Sequence, residues 1–359
     1  METRVVHVLS GDLWAGAEVA TFHLLRALAR RSELEVAAIV LNPGELASRL
    51  AAAGVAVEVE PEEGRGFASL VRAVRARLSH ADLVHAHRYK EDLLAALSGR
   101  PWLATQHGRP EPFGGASAWR MRGYLALDLA LKRCSARAVI AVSPEVAEWL
   151  RPRVGARRVH VAANGIDPPA GAARAARWRE RPLRVGVVSR LVPVKGLELA
   201  IDAVAAMPDL ELEIVGEGPL REALEARARA HGAAGRIRFV GFEPDPPPRM
   251  ATWRALLVTS LHEGHPIGVL EAMAVGTPVV STELRGIAEM LDGRAGWLIP
   301  GRDPAAWARA LSKIVHEEPA GERAAEAARA RFAAEFTADA AAERAVGVYR
   351  AALGRTSPR

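Results

Sequence analysis

Short continuous apolar runs alternate with stretches of helical periodicity along nearly all of the 359-residue chain. In the first half the apolar runs are RVVHVLS (4–10), LEVAAIVLN (34–42), VAVEVE (55–60), ADLVHAH (81–87), WLATQHG (102–108), ARAVIAVS (136–143) and RRVHVAANG (157–165). In the second half they are LRVGVVSRL (183–191), LELEIVGEG (210–218), RIRFVGF (236–242), ALLVTSLHEG (255–264), TPVVSTE (277–283) and GWLIP (296–300). Between them lie helical patterns such as AEVATFHLLRALARR and GPLREALEARARA. Strands that are apolar on both faces and alternate with helices predict parallel sheets covered on each side. Thirteen such runs are too many for one comfortable sheet. A break falls at 166–182, IDPPAGAARAARWRERP, which has paired prolines, small residues and no long apolar period. The pattern predicts an α/β protein of two Rossmann-like doubly wound domains facing across a cleft. The first domain is expected over 1–167, a linker over 168–182 and the second domain over 183–337. A last helix is expected over about 338–355. A ligand is expected at the carboxyl ends of the strands, between the halves.

Composition narrows the class. No apolar run reaches membrane-spanning length, and METRVVHVLS enters a strand directly, so no signal peptide is expected. The single cysteine, Cys134, cannot form an internal disulfide or a cysteine-built metal cage. A cytoplasmic protein is the simplest expectation. Residues 1–180 carry 25 Lys and Arg against 19 Asp and Glu, and residues 181–359 carry 23 of each. The whole formal excess of +6 therefore lies in the first half, which suits an anionic partner such as a membrane surface. RGFASLVRAVRARLSHA (65–81) reads as an amphipathic helix whose apolar face is Phe67, Leu70, Val71, Val74 and Leu78.

Four constellations carry chemistry. In LHEGHPIGVLEAMAVGTPVVS (261–281), Glu263 lies just outside a helix expected to begin at Pro266, and Glu271 lies inside it. The amides of Gly264, His265 and Ile267, around Pro266, together with the helix dipole, predict an anion site. A carboxylate beside an anion site makes chemical sense when it binds neutral hydroxyls attached to that anion, as in a sugar or a ribose. In VGVVSRLVPVKG, Arg190 and Lys195 place a planar fork and a point charge at a strand end, which suits a diphosphate. The GEGP turn (216–219) allows close backbone approach to a flat ligand, and Val240 of RFVGF can offer main-chain hydrogen bonds to a base. In the first half, SGDLWAGAE puts Gly16 where a backbone can approach a phosphate, without the spacing of a dinucleotide fingerprint. His107 of ATQHGR stands at a strand end. His85 and His87 share a strand face, but no acidic or cysteine partner lies near them in sequence, and no metal site is expected.

Taken together, Glu-x7-Glu, EAMAxGTPVV, SRLxxxKG, GEGP, FVGF and ANGID resemble the retaining GT-B glycosyltransferases of family 4. LSGDLWAGAE is similar to that family's glycine loop, and TQHG to its Thr-His-His-Gly-type segment. The resemblance spans nearly the whole chain and is densest over 160–300. It implies that Arg190, Lys195 and the segment Gly264, His265, Pro266 and Ile267, through its backbone, hold the diphosphate of a nucleotide-sugar donor. It also implies that Glu263 contacts the transferred sugar, Glu271 the ribose, and that Gly16 lies against the diphosphate. His107 is placed near the reacting carbon, and Asn164 lines the cleft near the hinge. The last helix crosses back to the first domain, and configuration is retained. The chain departs from the family's pattern at His265, where a bulky residue is usual, at Ala15 beside Gly16, and at Gln106, where a second histidine is frequent.

The function expected is transfer of a sugar from a nucleotide-diphosphate sugar to a glycan or lipid-linked acceptor of cell-surface polysaccharide synthesis. No cofactor and no metal are expected, since there is no Asp-x-Asp segment to hold a divalent ion. An epimerase of GT-B type and a non-catalytic nucleotide-sugar or nucleic-acid binder remain as alternatives. The sequence has no nucleic-acid module, so no nucleic-acid partner is expected. Localisation is expected to be cytoplasmic, with peripheral contact at the inner face of a membrane.

Overall fold

The computed structural model describes residues 2–12, 14–110, 118–170 and 177–354. The chain divides into two compact units, Met1–Ile166 with Ala338–Arg359, and Asp167–Thr337. All thirteen apolar runs become strands. In the first unit these are β1 (Thr3–Leu9), β2 (Leu34–Val40), β3 (Ala56–Val59), β4 (Leu83–Ala86), β5 (Trp102–Gln106), β6 (Ala138–Ala141) and β7 (Val159–Val161). They form one parallel sheet in the order 3-2-1-4-5-6-7. In the second unit, β8 (Arg184–Val188), β9 (Glu211–Val215), β10 (Ile237–Gly241), β11 (Ala255–Val258), β12 (Val279–Thr282) and β13 (Gly296–Ile299) pair in parallel in the order 10-9-8-11-12-13. Each unit is thus a Rossmann-like doubly wound domain. The strand order reverses beside β1 in one and beside β8 in the other, which marks the carboxyl ends of β1, β4, β8 and β11 as the places for ligands.

The first sheet is buried on both faces. One face packs the helices Gly16–Ala29 and Ala338–Ala352 over Val5, Leu9, Leu83 and Leu103. The other packs Leu70, Val74, Leu94 and Leu150 over Val6, Val8, Val84 and Val139. The second core is built on Val185, Val187, Leu212, Ile214 and Leu257, with Trp307 fully enclosed.

Two readings are corrected here. The amphipathic segment at 65–81 does form a helix, Phe67–Arg77, but Leu70, Val74 and Leu78 are spent on the sheet and only Phe67 of the five stands exposed. Within the stretch read as a linker, 171–176 lies outside the described residues, while Trp178 and Arg181 are buried in the second unit. Trp178 Nε1 donates to Arg254 O at 2.7 Å, and Arg181 Nη1 donates to Trp253 O at 2.8 Å and Thr277 Oγ1 at 2.9 Å. Two isolated large side chains carry no period, so nothing local marks them as anchors of a core.

Candidate active site

In the second unit the site grows from the ends of β8 and β11. β8 ends at Val188, and the loop that follows carries Arg190, exposed, into a short 3-10 turn, Pro193–Lys195. Gly196 then takes a left-handed conformation at φ 54°, where a Cβ would lie 2.7 Å from Thr259 O. This lets the loop press against the residues after β11. Thr259 Oγ1 donates to Lys195 O at 3.0 Å, Leu261 N to Val194 O at 2.8 Å, and Arg302 Nη1 to Thr259 O at 2.6 Å. The result is contact between two residues placed in separate roles by the sequence. Lys195 Nζ lies 2.6 Å from Glu263 Oε1, with side-chain exposures of 19% and 12%. Ser260 Oγ donates to the same oxygen at 2.6 Å.

The helix beyond Glu263 runs Ile267–Ala274, one residue later than expected, with Pro266 extended in the capping position. Its first-turn amides are those of Ile267 and Gly268. His265 is 7% exposed, and its ring lies 5.5 Å from that of Phe336. Glu271 lies in the helix interior, and burial, with Asp245 adding to it, pushes its carboxyl up to about 7. Val240 is the extra residue of a bulge. Phe239 and Gly241 pair with consecutive residues of β9, and Val240 has no partner there. β10 is an edge strand, three strands from β11, about 14 Å at the usual spacing.

The GEGP turn works differently from the expectation. Gly216 and Gly218 take φ of 130° and 158°, and a Cβ would meet Ser189 O at 2.0 Å and Leu191 O at 2.5 Å. Their close approach is to the protein's own loop after β8. Leu191 N donates to Glu217 O at 2.8 Å across the same contact.

In the first unit, Gly16 is the first, exposed residue of the helix Gly16–Ala29. His107 and Asn164 line one cavity together with Thr21, His87 and Thr105. A second hollow beside it is lined by Gly11, Glu18, His87, Arg88 and His107, and in it Arg88 pairs with Glu18. His107 is not alone. His7, opposite His85 in the β1–β4 register, joins buried His85 and His87 and half-buried His107 in one group. His7 Nδ1 and His87 Nε2 are 3.0 Å apart, and His87 Nδ1 and His107 Nε2 are 3.2 Å apart. His85 Nδ1 is 2.8 Å from Tyr349 Oη, supplied by the last helix, and its Nε2 is 2.7 Å from Thr105 Oγ1. Burial lowers all four imidazoles, His7 to about 3 and His107 to about 4, so they are neutral at physiological pH. Atoms of His7, His85 and His87 lie within 4.8 Å of one another, close enough to share a metal ion. In this arrangement both nitrogens of His85 are engaged by Tyr349 and Thr105, so an ion would have to replace those bonds. Sequence reasoning missed His7 and Tyr349. The signal was a polar residue inside the otherwise apolar run RVVHVLS.

The comparisons with known proteins follow this layout. Residues 14–169 match the Glycosyltransferase Family 4 model and residues 172–331 match Glycosyl transferases group 1. Glycogen synthase of Mycobacterium tuberculosis is 30% identical over 297 residues, covering 76% of this chain and 69% of that one. The chain is a GT-B glycosyltransferase of family 4. The lipopolysaccharide core biosynthesis glycosyltransferase LpsE of Rhizobium meliloti is 35% identical over 43% of this chain, a match that spans 45% of the relative's own length. In fold, this glycosyltransferase is similar to Anabaena HepE, solved in complex with UDP and glucose, with a TM-score of 0.84, 22% identity and coverage of 97% of this chain and 99% of that one. Sucrose-phosphate synthase of Thermosynechococcus elongatus gives a TM-score of 0.79 at 20% identity, over 97% and 98% of the two chains. Among the described residues no helix is long and apolar enough to cross a membrane.

Proposed function

We propose that this glycosyltransferase moves a sugar from a nucleoside-diphosphate sugar to a glycan or lipid-linked acceptor of cell-surface polysaccharide synthesis, with retention and without a metal ion. The observation that carries the reading is the Lys195–Glu263 contact at the start of the helix Ile267–Ala274. It puts a cation, a carboxylate and helix-end amides at the carboxyl edge of one sheet. The cation and amides suit a departing diphosphate, and the second oxygen of Glu263 suits a sugar hydroxyl. Arg190 adds charge from the loop after β8. Glu271, further along the helix, suits the ribose, and Val240 at the sheet's edge suits the base. Gly16, His107 and Asn164 supply the first unit's share. HepE in complex with UDP-glucose supports a nucleotide-sugar donor, and relatives of lipopolysaccharide and amylovoran biosynthesis support a polysaccharide acceptor.

The basic first half suits peripheral contact with an anionic membrane from the cytoplasmic side. Phe67, Tyr89, Leu97, Trp119, Tyr124 and Leu127 stand exposed on the helices Phe67–Arg77, Tyr89–Leu97 and Ala118–Cys134. The helix Tyr89–Leu97 packs against the other two. Arg122 lies over the Trp119 ring, 5.6 Å from its centroid, and Arg120 is exposed on the same helix.

The test is a thermal-shift screen against UDP-, GDP-, ADP- and TDP-sugars, followed by transfer assays with the selected donor in excess chelator. Stabilisation by one donor and transfer that survives chelation are expected. Strict dependence on added Mg²⁺ or Mn²⁺ would reject the metal-free mechanism, and epimerised free donor without an acceptor product would reject transfer.

A further inference from the structure

A buried chain of hydrogen bonds links Thr105, His85, Tyr349, His7, His87 and His107, and the direction of its protons can be read from a branch at Thr21. Thr21 Oγ1 lies 2.8 Å from Ala17 O and gives that carbonyl its single proton. Toward His87 Nδ1, at 3.4 Å, the hydroxyl can then only accept. His87 therefore carries its proton on Nδ1, and that N–H is also shared with His107 Nε2 at 3.2 Å. A neutral imidazole has one donor and one acceptor nitrogen. His87 Nε2 accordingly accepts from His7 Nδ1 at 3.0 Å, and His7 Nε2 accepts from the Tyr349 hydroxyl at 3.4 Å. Tyr349 Oη accepts from His85 Nδ1 at 2.8 Å, and His85 Nε2 accepts from Thr105 at 2.7 Å. Every imidazole along the way donates once and accepts once.

The consequence falls on His107. Its Nε2 is an acceptor, so its proton resides on Nδ1. That atom is buried and has no hydrogen-bond partner among the described residues. A buried donor left unpaired is costly, and His107 lines the cavity shared with Thr21, Thr105 and Asn164. We infer that Thr21, His87 and His7 are positioning residues that hold His107 as its Nδ1–H tautomer, so that it presents a neutral hydrogen-bond donor to an acceptor oxygen of the substrate. A donor in that state cannot take a proton through the same atom, so His107 orients and stabilises substrate rather than serving there as a general base. This inference rests on the reading of His107 as part of the transferase site.

The protein labelled with ¹⁵N-histidine reports the tautomer directly, through the two-bond couplings that separate Nδ1–H from Nε2–H imidazole, with His107→Asn assigning the signal. His107 and His87 are expected as Nδ1–H forms, and His107 found as Nε2–H overturns the inference. Thr21→Val removes the branch that sets the direction. It is expected to give a mixed tautomer at His107 and to lower kcat about ten-fold, the worth of one hydrogen bond, while Thr21→Ser recovers most of the loss. An unchanged tautomer and an unchanged kcat in a folded Thr21→Val protein also overturn it, and if that variant does not fold the wild-type spectrum decides alone. Nδ1–H at His107 without turnover of any nucleotide sugar removes the functional reading and leaves the tautomer standing. Turnover with Nε2–H does the reverse.

Discussion

Acidification should draw on the stability of the first domain, because that domain buries its imidazoles neutral. His7 titrates near 6.5 when unfolded but about 3 when folded, and His107 about 4. Groups depressed in this way contribute stability that is present above the unfolded value and lost as pH falls below it. Between pH 7.5 and 5.5 each costs about 1.4 kcal/mol, roughly 2.7 kcal/mol for the pair. His85 and His87 are lowered by burial too and act in the same direction. Three carboxyls oppose them, Glu18, Asp92 and Glu91, each raised chiefly by burial. Glu91, buried with both carboxyl oxygens lacking hydrogen-bond partners among the described residues, is raised to about 7. A raised acid is most stabilising below its unfolded value, so over the same interval it returns about 1.8 kcal/mol. The wild-type slope is therefore four histidines set against three carboxyls, and the share of one histidine is isolated by removing it. Urea melts at pH 7.5, 6.5 and 5.5, followed by circular dichroism, give the slope for each protein. His7→Asn, although less stable throughout, should lose about 1.4 kcal/mol less than wild type on acidification over the interval. The same slope in both proteins would refute the reasoning.

Other outcomes are expected in the second domain and at the surface. Glu271→Ala should mainly raise KM, since ribose contacts count equally before and during transfer. Glu263→Ala should mainly lower kcat, about ten- to a hundred-fold, while leaving nucleoside diphosphate binding at least as tight in calorimetric titration. The opposite pattern reverses the two assignments. Gly216→Ala should destabilise by at least about 2 kcal/mol in chemical denaturation, because Ser189 O occupies the space of a Cβ and the backbone is at φ 130°. Wild type should co-sediment with anionic vesicles at low salt and less at high salt, and Trp119→Ala with Tyr124→Ala should weaken that binding. Equal binding to neutral vesicles, or none to either, would reject the membrane surface.

The architecture was legible because each strand is a closed run of apolar residues, and a parallel sheet needs nothing more local than that. All thirteen strands follow from it. The domain break was harder, since burial of Trp178 and Arg181 depends on where Arg254 and Thr277 come to lie, far along the chain. The glycines of GEGP were visible as glycines, but whether they make room for a ligand or for Ser189 and Leu191 is a tertiary fact. The histidine group shows the same limit more sharply. RVVHVLS, LVHAH and TQHG each display a histidine at or near a strand end, yet only the order β1-β4-β5 brings them side by side. Tyr349 reaches them from the far end of the sequence.

On the proposed reading, the Lys195–Glu263 contact changes how a donor would be held. Read separately, the lysine is a diphosphate ligand and the glutamate a sugar ligand. In the structure they neutralise one another at 2.6 Å in a half-buried setting, and Ser260 adds a second bond to the same carboxylate oxygen. Such a pair cannot be worth much as a stabilising contact, because desolvation of two charges offsets most of their attraction. Its value is in holding both side chains in place while neither faces a partner of its own. An arriving diphosphate would compete with Glu263 for the ammonium and meet less resistance where the carboxylate is also bonded by Ser260. Glu263 would then turn a less encumbered oxygen toward the sugar. Removing the carboxylate frees the lysine for anions, which is why loss of Glu263 should spare diphosphate binding and still cost turnover.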